Sequence, residues 1–129
     1  MNKFISDYME NGFLDNIIDL FKQDKSLFPV IGDMLKDERS RVRLGAVALV
    51  ETLMKDDFHT VVKAIPSIAD ALKNENPTIR GDAAYLLGII GHRDALPFLL
   101  KSDDENELVR EAVAEAVEAI QSGDKSLLS

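Results

Sequence analysis

Apolar residues recur along this chain three and four positions apart, from the first segment to residue 120. That spacing marks amphipathic helices. The clearest case is Asn76 to Gly91, NPTIRGDAAYLLGIIG, where Ile79, Ala83, Leu86, Leu87 and Ile90 fall on one face. Both ends are punctuated. Asn76 can cap the helix, Pro77 suits its first turn, and Gly91 can end it. The spacing predicts a helix over 77–90.

The same reading extends in both directions. Residues 3–10 form a short helix and Asn11-Gly12 a turn. A helix over 13–23 carries Phe13, Leu14, Ile17, Ile18, Leu20 and Phe21. Asp24-Lys25-Ser26 breaks it, and Ser26 offers a cap for a helix over about 27–36 that contains Pro29. A long helix over 41–55 places Val42, Gly45, Ala46, Leu49, Val50 and Leu53 on one face. Asp56-Asp57 starts another, about 58–73, with Pro66 inside it. A short helix over 95–101 contains Pro97. Residues 108–121 follow, with Val109, Ala112, Val113, Ala116, Val117 and Ile120 apolar. No strand pattern appears, so the class is all-α, about eight helices joined by short turns.

The chain repeats itself. LKDERSRVRLGAVALVETL from Leu35 aligns with LKNENPTIRGDAAYLLGII from Leu72. Val42/Ile79, Arg43/Arg80, Ala46/Ala83, Leu49/Leu86 and Leu53/Ile90 match in kind, and a third copy brings Val109-Arg110. The preceding segments align through Pro29, Pro66 and Pro97. Asp37, Asn74 and Asp104 each stand six residues before Arg43, Arg80 and Arg110. One helix pair cannot bury both its faces, so stacked neighbours must supply the core.

These prolines, turn residues and aliphatic-Arg steps resemble the HEAT family, especially the short HEAT-like repeats first noted in phycobilin lyases. The resemblance covers about residues 27–121. It implies one domain over 1–129, a right-handed α-solenoid of about three helix pairs (27–55, 57–91 and 94–121). Residues 1–24 would be an N-terminal capping pair and 122–129 a tail. It also implies a ladder between adjacent repeats built from Asp37, Arg43, Asn74, Arg80, Asp104 and Arg110. Two positions depart from the pattern. Asp82 occupies an inward position where its counterparts are Gly45 and Ala112, and Asn74 replaces the usual turn acid.

Composition narrows the function. At 129 residues and 46% hydrophobic, the chain can build a real core. Its formal net charge of −8 disfavours nucleic acid and points to solubility or to a basic partner. There are no cysteines, which removes disulfides and thiolate chemistry and fits the cytoplasm. The N-terminal segment is not a signal peptide, because acids interrupt it. No apolar run reaches the ~20 residues that span a bilayer.

Catalytic patterns are missing from the sequence. It has neither a Gly-rich phosphate loop nor a Gly-x-Ser-x-Gly elbow. His59 and His92 have no second histidine at helical metal-pair spacing. Each also lacks the following glutamate of the dyads that mark HEAT-repeat iron hydroxylases. The acidic run 103–107 lacks the glycine and distal glutamate of a calcium loop and suits a solvated helix start.

By resemblance, the second helix of each pair lines the concave side. Leu44, Ala48 and Glu51, then Gly81, Tyr85 and Gly88, then Glu111, Glu115 and Glu118 are its candidate binding positions. Tyr85 stands between two glycines, with Glu51, Asp82, Glu111, Glu115 and Glu118 as a rim. It is either an anchor for a basic, partly apolar peptide or packed on the next repeat with its hydroxyl in water. Gly81 and Gly88 serve either close packing or ligand access.

The sequence therefore points to a non-enzymatic interaction or scaffold module. It would bind a protein or peptide, preferably basic, as a monomer or weak homodimer, without cofactor, metal, nucleic acid or membrane. The alternative, by resemblance, is a lyase-like or accessory protein for a linear tetrapyrrole or other small ligand, with Tyr85, Asp82 and Arg80 as its contacts.

Overall fold

A computed structural model describes residues 2–123. Within them the helices are α1 (Asn2–Glu10), α2 (Leu14–Gln23), α3 (Val30–Leu35), α4 (Ser40–Lys63), α5 (Ile65–Asp70), α6 (Pro77–Ile90), α7 (Leu96–Leu100) and α8 (Glu107–Gly123). Short 3-10 turns occupy Lys25–Leu27, Ala71–Lys73 and Arg93–Ala95, and no strand occurs among the described residues. The tail expected over 122–129 lies, from residue 124 onward, outside the described residues.

The helices stack in successive pairs. α1 and α2 pack on α4, α3 on α4 and α5, α5 on α6, and α7 and α6 on α8. Together with the repeat pattern this is an α-solenoid. The row α4, α6, α8 runs down one side. α4 and α6 bury the stripes expected of them apart from Gly45, while α8 buries Val109, Ala116 and Ile120 and leaves Ala112, Val113 and Val117 half-buried. On α6 the buried residues are Ile79, Ala83, Ala84, Leu86, Leu87 and Ile90. A fully buried Leu or Ile contributes roughly 1.5–3 kcal/mol, so the stacked faces hold the array together.

The punctuation of α6 works as expected. The Asn76 side chain accepts the Thr78 N–H at 2.9 Å. Gly91 closes the helix at φ 69°, where a side chain is disfavoured, and its N–H bonds Leu87 O.

The prolines behave differently from the expectation that they lie within helices. Pro29 precedes α3, while Pro66 and Pro97 sit in the first turns of α5 and α7. A proline lacks the N–H and collides with the carbonyl four residues back, and both defects are harmless in a first turn. The helix expected over 58–73 is therefore interrupted at Ala64. Those expected over 27–36 and 95–101 shorten to a 3-10 turn followed by α3 or α7. The cap before α3 also differs: Asp24, not Ser26, accepts the Ser26 N–H at 3.1 Å.

The break expected at Asp56-Asp57 appears as a kink inside α4, with Asp57 at φ −152° and ψ 68°. The Asp57 carboxylate accepts the Thr60 N–H at 3.2 Å and its hydroxyl at 2.7 Å, which caps the segment after the kink. Lys25 pairs with the same carboxylate. The Lys25 hydrogen bond, then the Thr60 hydroxyl, pull the Asp57 carboxyl down to about 2.

Close approach needs small residues. A Cβ on Gly88 would lie 3.1 Å from the Cα and Cβ of Ala116, so α6 and α8 touch backbone to backbone there. Gly81 meets nothing within 4 Å. Of the two roles open to these glycines, Gly88 serves packing and Gly81 leaves space.

Candidate functional site

The α4, α6, α8 row presents two grooves side by side. One, of about 240 Å³, lies between α6 and α8 and is lined by Tyr85, Gly88, Ile89, Ala112, Glu115, Ala116 and Ala119. The other, of about 450 Å³, lies between α4 and α6, with Arg43, Leu44, Val47, Ala48, Glu51, Thr78, Asp82 and Tyr85 among its walls. Tyr85 belongs to both and forms the ridge between them. Its 60% exposure follows from the helix geometry: Ala84 and Leu86 on either side are buried, and Tyr85 faces outward. The absent Cβ at Gly81, one turn earlier, keeps the approach to the ring open.

Three acids of the expected rim gather here. Glu51 and Asp82 line the α4–α6 groove and Glu115 the α6–α8 groove. Glu118 does not: it lines a separate hollow with Leu99, Leu100 and Val117. Glu111 lies on the exposed surface of α8 and lines neither groove. At about 100° per residue Glu118 is turned about 60° from Glu115, toward the Leu100–Val117 hollow, and Glu111 stands one turn earlier along the axis.

Asp82 is engaged rather than free. Arg43 Nε donates to Asp82 Oδ2 at 3.0 Å, while Arg43 Nη1 donates to the carbonyls of Asp37 and Glu38 at 2.8 Å each. Arg80 repeats the device one layer on. Its Nη1 bonds the Asn74 and Glu75 carbonyls at 2.9 and 3.1 Å, and its Nε and Nη2 grip Asp104 at 2.7 and 3.1 Å. The inward position expected for Asp82 is thus corrected. Its side chain stays 40% exposed and turns to α4, where it supplies the carboxylate that Asn74 lacks. Asn74 keeps the other task of a turn acid, accepting the Asn76 N–H at 2.9 Å, as Asp104 does for Asn106.

The remaining ladder residues diverge. The Asp37 carboxylate is taken by Arg39, not by Arg43, and Arg39 also reaches Asp7 at 2.9 Å. The Arg39 hydrogen bond is the main cause holding the Asp37 carboxyl below its usual range. The Asp104 carboxyl is held low first by the hydrogen bond from Arg80. Arg110 is exposed and reaches no carboxylate by hydrogen bond among the described residues.

Other candidate chemistry resolves into structure. His92 Nδ1 accepts the Asp94 N–H at 3.0 Å and so caps a 3-10 turn. His59 is exposed on α4. Within the acidic run, Asp104 serves Arg80, and Asn106 caps α8 through the Leu108 and Val109 N–H groups. The described residues bring no three of His, Asp and Glu together as a metal-holding group. This donor set does not fit the iron of a HEAT-repeat hydroxylase. No described helix is long and apolar enough to cross a membrane.

The groove residues Val47, Thr78, Ile89 and Ala119 were not among the sequence candidates. Each sits at the margin of an apolar stripe, where periodicity alone does not separate core from groove wall.

The chain is similar to the deoxyhypusine hydroxylase of Neurospora crassa, 29% identical over 112 residues. That match covers 84% of this chain and 29% of the relative, so the chain spans under a third of the relative's length. No solved structure matches at a significant level. The expectation of a non-enzymatic interaction or scaffold module is corrected by this likeness, because the relative is an enzyme by name. The tetrapyrrole alternative finds no counterpart in it. Across residues 28–118 the chain matches the family model for HEAT repeats. With the stacked helix pairs and first-turn prolines, this shows that the chain belongs to the HEAT-repeat family.

Proposed function

We propose that this chain is an enzyme-related HEAT-repeat protein whose α4–α6–α8 face holds a cationic segment of a polypeptide substrate. The observation that carries the reading is Tyr85, an exposed ring on the ridge between two grooves with carboxylates on both sides. Arg43 and Asp82 offset one another, so Glu51 and Glu115 leave the ridge negative. Acids in shallow grooves raise the local concentration of cations and steer their approach. A ring face beside them adds cation–π attraction of about 0.5–1 kcal/mol at an exposed site. The α6–α8 groove, walled by Ile89, Ala112, Ala116 and Ala119, suits an aliphatic stem.

The relative's name states a reaction, hydroxylation of deoxyhypusine. The class carried over to this chain is modification of a basic side chain in a protein, and the described face supplies binding and orientation. The lack of cysteine fits a reducing, cytoplasmic setting.

The test is calorimetric titration with a basic peptide carrying deoxyhypusine, beside the same peptide with acetyl-lysine at that position. Saturable, salt-sensitive binding of the first is expected. Tyr85→Ala with Glu115→Gln should weaken it at least tenfold while the unfolding temperature stays within a degree or two. Equal binding of the acetylated peptide, or binding untouched by the double substitution, would overturn the reading.

A further inference from the structure

Two successive layer boundaries are built from different residues at matching places. At the first, Gly32 of α3 lies so close to α5 that a Cβ there would overlap Ser67. Across the same boundary Lys36 Nζ pairs with the Asp70 carboxylate. Counted from Pro29, Pro66 and Pro97, the next boundary puts Ala69 in the place of Gly32 and Phe98 in that of Ser67. Lys73 takes the place of Lys36, and Lys101 that of Asp70. Helix separation follows the size of the side chains at the contact. A methyl and a ring replace a bare Cα and a hydroxymethyl, and beside α7 a hollow of about 370 Å³ opens, with Ala69, Leu72 and Phe98 as its apolar wall.

The exchange at the other place changes the charge. Where the first boundary sets a lysine against a carboxylate, the second brings two lysines to one hollow. Neither Lys73 nor Lys101 forms an ion pair among the described residues. The acids nearby do not answer both. Asp104 also lines the hollow, but Arg80 Nε and Nη2 and the Asn106 N–H take its carboxylate. The Asp70 carboxyl is held low first by Lys36, with Lys73 a lesser cause. Asp103 is exposed and pairs with neither lysine. With Asp104 offset by Arg80, two cations face one acid in a chain whose net charge is −8. Ser102 adds a hydroxyl to the same lining.

We propose that this hollow binds a small organic carboxylate. Its anionic head stands between Lys73 and Lys101, as the Asp70 carboxylate stands beside Lys36, and its apolar body lies against Leu72 and Phe98. Lysine ammonium groups are point charges on flexible stems, so both can turn to one head. The volume falls in the range of small-ligand sites, roughly 300–1,000 Å³, which favours a free acid over a folded partner. The hollow lies apart from the Tyr85 grooves, so the site stands or falls independently of the substrate reading.

Titration of the full chain with phenylacetate at low salt, followed by two-dimensional amide NMR, tests it. Saturable shifts are expected at Leu72, Lys73, Phe98, Lys101 and Ser102, and phenylacetamide, which lacks the charge, should cause none. Lys101→Asp rebuilds the pair of the first boundary opposite Lys73. It should weaken binding at least tenfold, about 1.4 kcal/mol, without lowering the urea midpoint. Asp103→Asn removes the opposing charge and should bind more tightly. No saturable shift, equal binding of phenylacetamide, or a Lys101→Asp protein that binds at the unaltered strength would overturn the proposal. So would an Asp103→Asn protein that binds no more tightly. A capped peptide with Glu-Phe at its centre serves as the further arm. Binding at least tenfold tighter than phenylacetate would overturn the small-ligand assignment and give the hollow to a polypeptide.

Discussion

Alanine at three helical glycines gives a graded test of how the layers touch. Alanine is favoured over glycine in a helix interior by about 1 kcal/mol, and space decides how much of that survives. At Gly81 a new Cβ meets nothing within 4 Å, so Gly81→Ala should stabilise the fold by about 0.5–1 kcal/mol. At Gly88 the methyl would lie 3.1 Å from two Ala116 atoms. A shift of a few tenths of an ångström in α8 then cancels the gain, and the net change should be near zero. At Gly32 on α3 the methyl would overlap the Ser67 side chain and carbonyl oxygen and come within 2.7 Å of the carbonyl carbon. That obstacle is backbone, fastened where Ser67 Oγ donates to the Pro29 carbonyl. Overpacking costs about 1–3 kcal/mol, and with backbone in the way the upper end applies. After the propensity gain, Gly32→Ala should lose about 2 kcal/mol. Urea unfolding followed by far-UV circular dichroism measures all three. The order Gly81→Ala, unaltered, Gly32→Ala in midpoint is the essential result. A Gly32→Ala protein as stable as the unaltered chain would refute the close α3–α5 crossing.

Other outcomes follow from the caps and the ladder. Asn76→Ala removes the acceptor of the Thr78 N–H and should cost about 1 kcal/mol in urea unfolding. Asp82→Asn takes the charge from a half-exposed pair and should cost no more than ~1 kcal/mol, with the loss shrinking in high salt. Acid should unfold the protein in a defined window. When folded, Asp37, Asp57, Asp70 and Asp104 titrate low, held first by hydrogen bonds from Arg39, Lys25, Lys36 and Arg80 respectively. The folded chain therefore binds fewer protons than the unfolded one, and the stability they confer is complete above the unfolded carboxylate value of about 4. It is lost as pH falls through the folded values, about 2 for Asp57. Urea midpoints measured from pH 5 downward should fall steadily, and a flat profile would contradict these pairings.

The substrate reading shows where sequence stopped short. Tyr85 was legible as an outward residue, because it lies off the stripe of Ile79, Ala83, Leu86, Leu87 and Ile90. That it borders two grooves was not, since each groove is made jointly with a different helix. Asp82 misled for a related reason. Periodicity placed it by its counterparts Gly45 and Ala112, whereas a carboxylate goes where a cation is, and Arg43 lies across the layer boundary. The likeness to a protein named as an enzyme was not legible in a motif: His59 and His92 lack the glutamates of a hydroxylase dyad, and the likeness is spread over 112 residues.

By itself the sequence determined the all-α class, the buried stripe of α6, both ends of α6 and the repeat that makes an α-solenoid. These follow from interactions within a few residues, capping, proline geometry and the helical period, which the chain carries locally. Only the tertiary structure decided that prolines open helices, that Asp82 replaces Asn74 as the partner of an arginine, and that Gly88 is contact while Gly81 is space. It also decided that Arg110 stands beside Asp103, Asp104 and Glu105 without a carboxylate hydrogen bond among the described residues. Each of these depends on what another layer brings within a few ångströms, and residues dozens of positions apart set that distance.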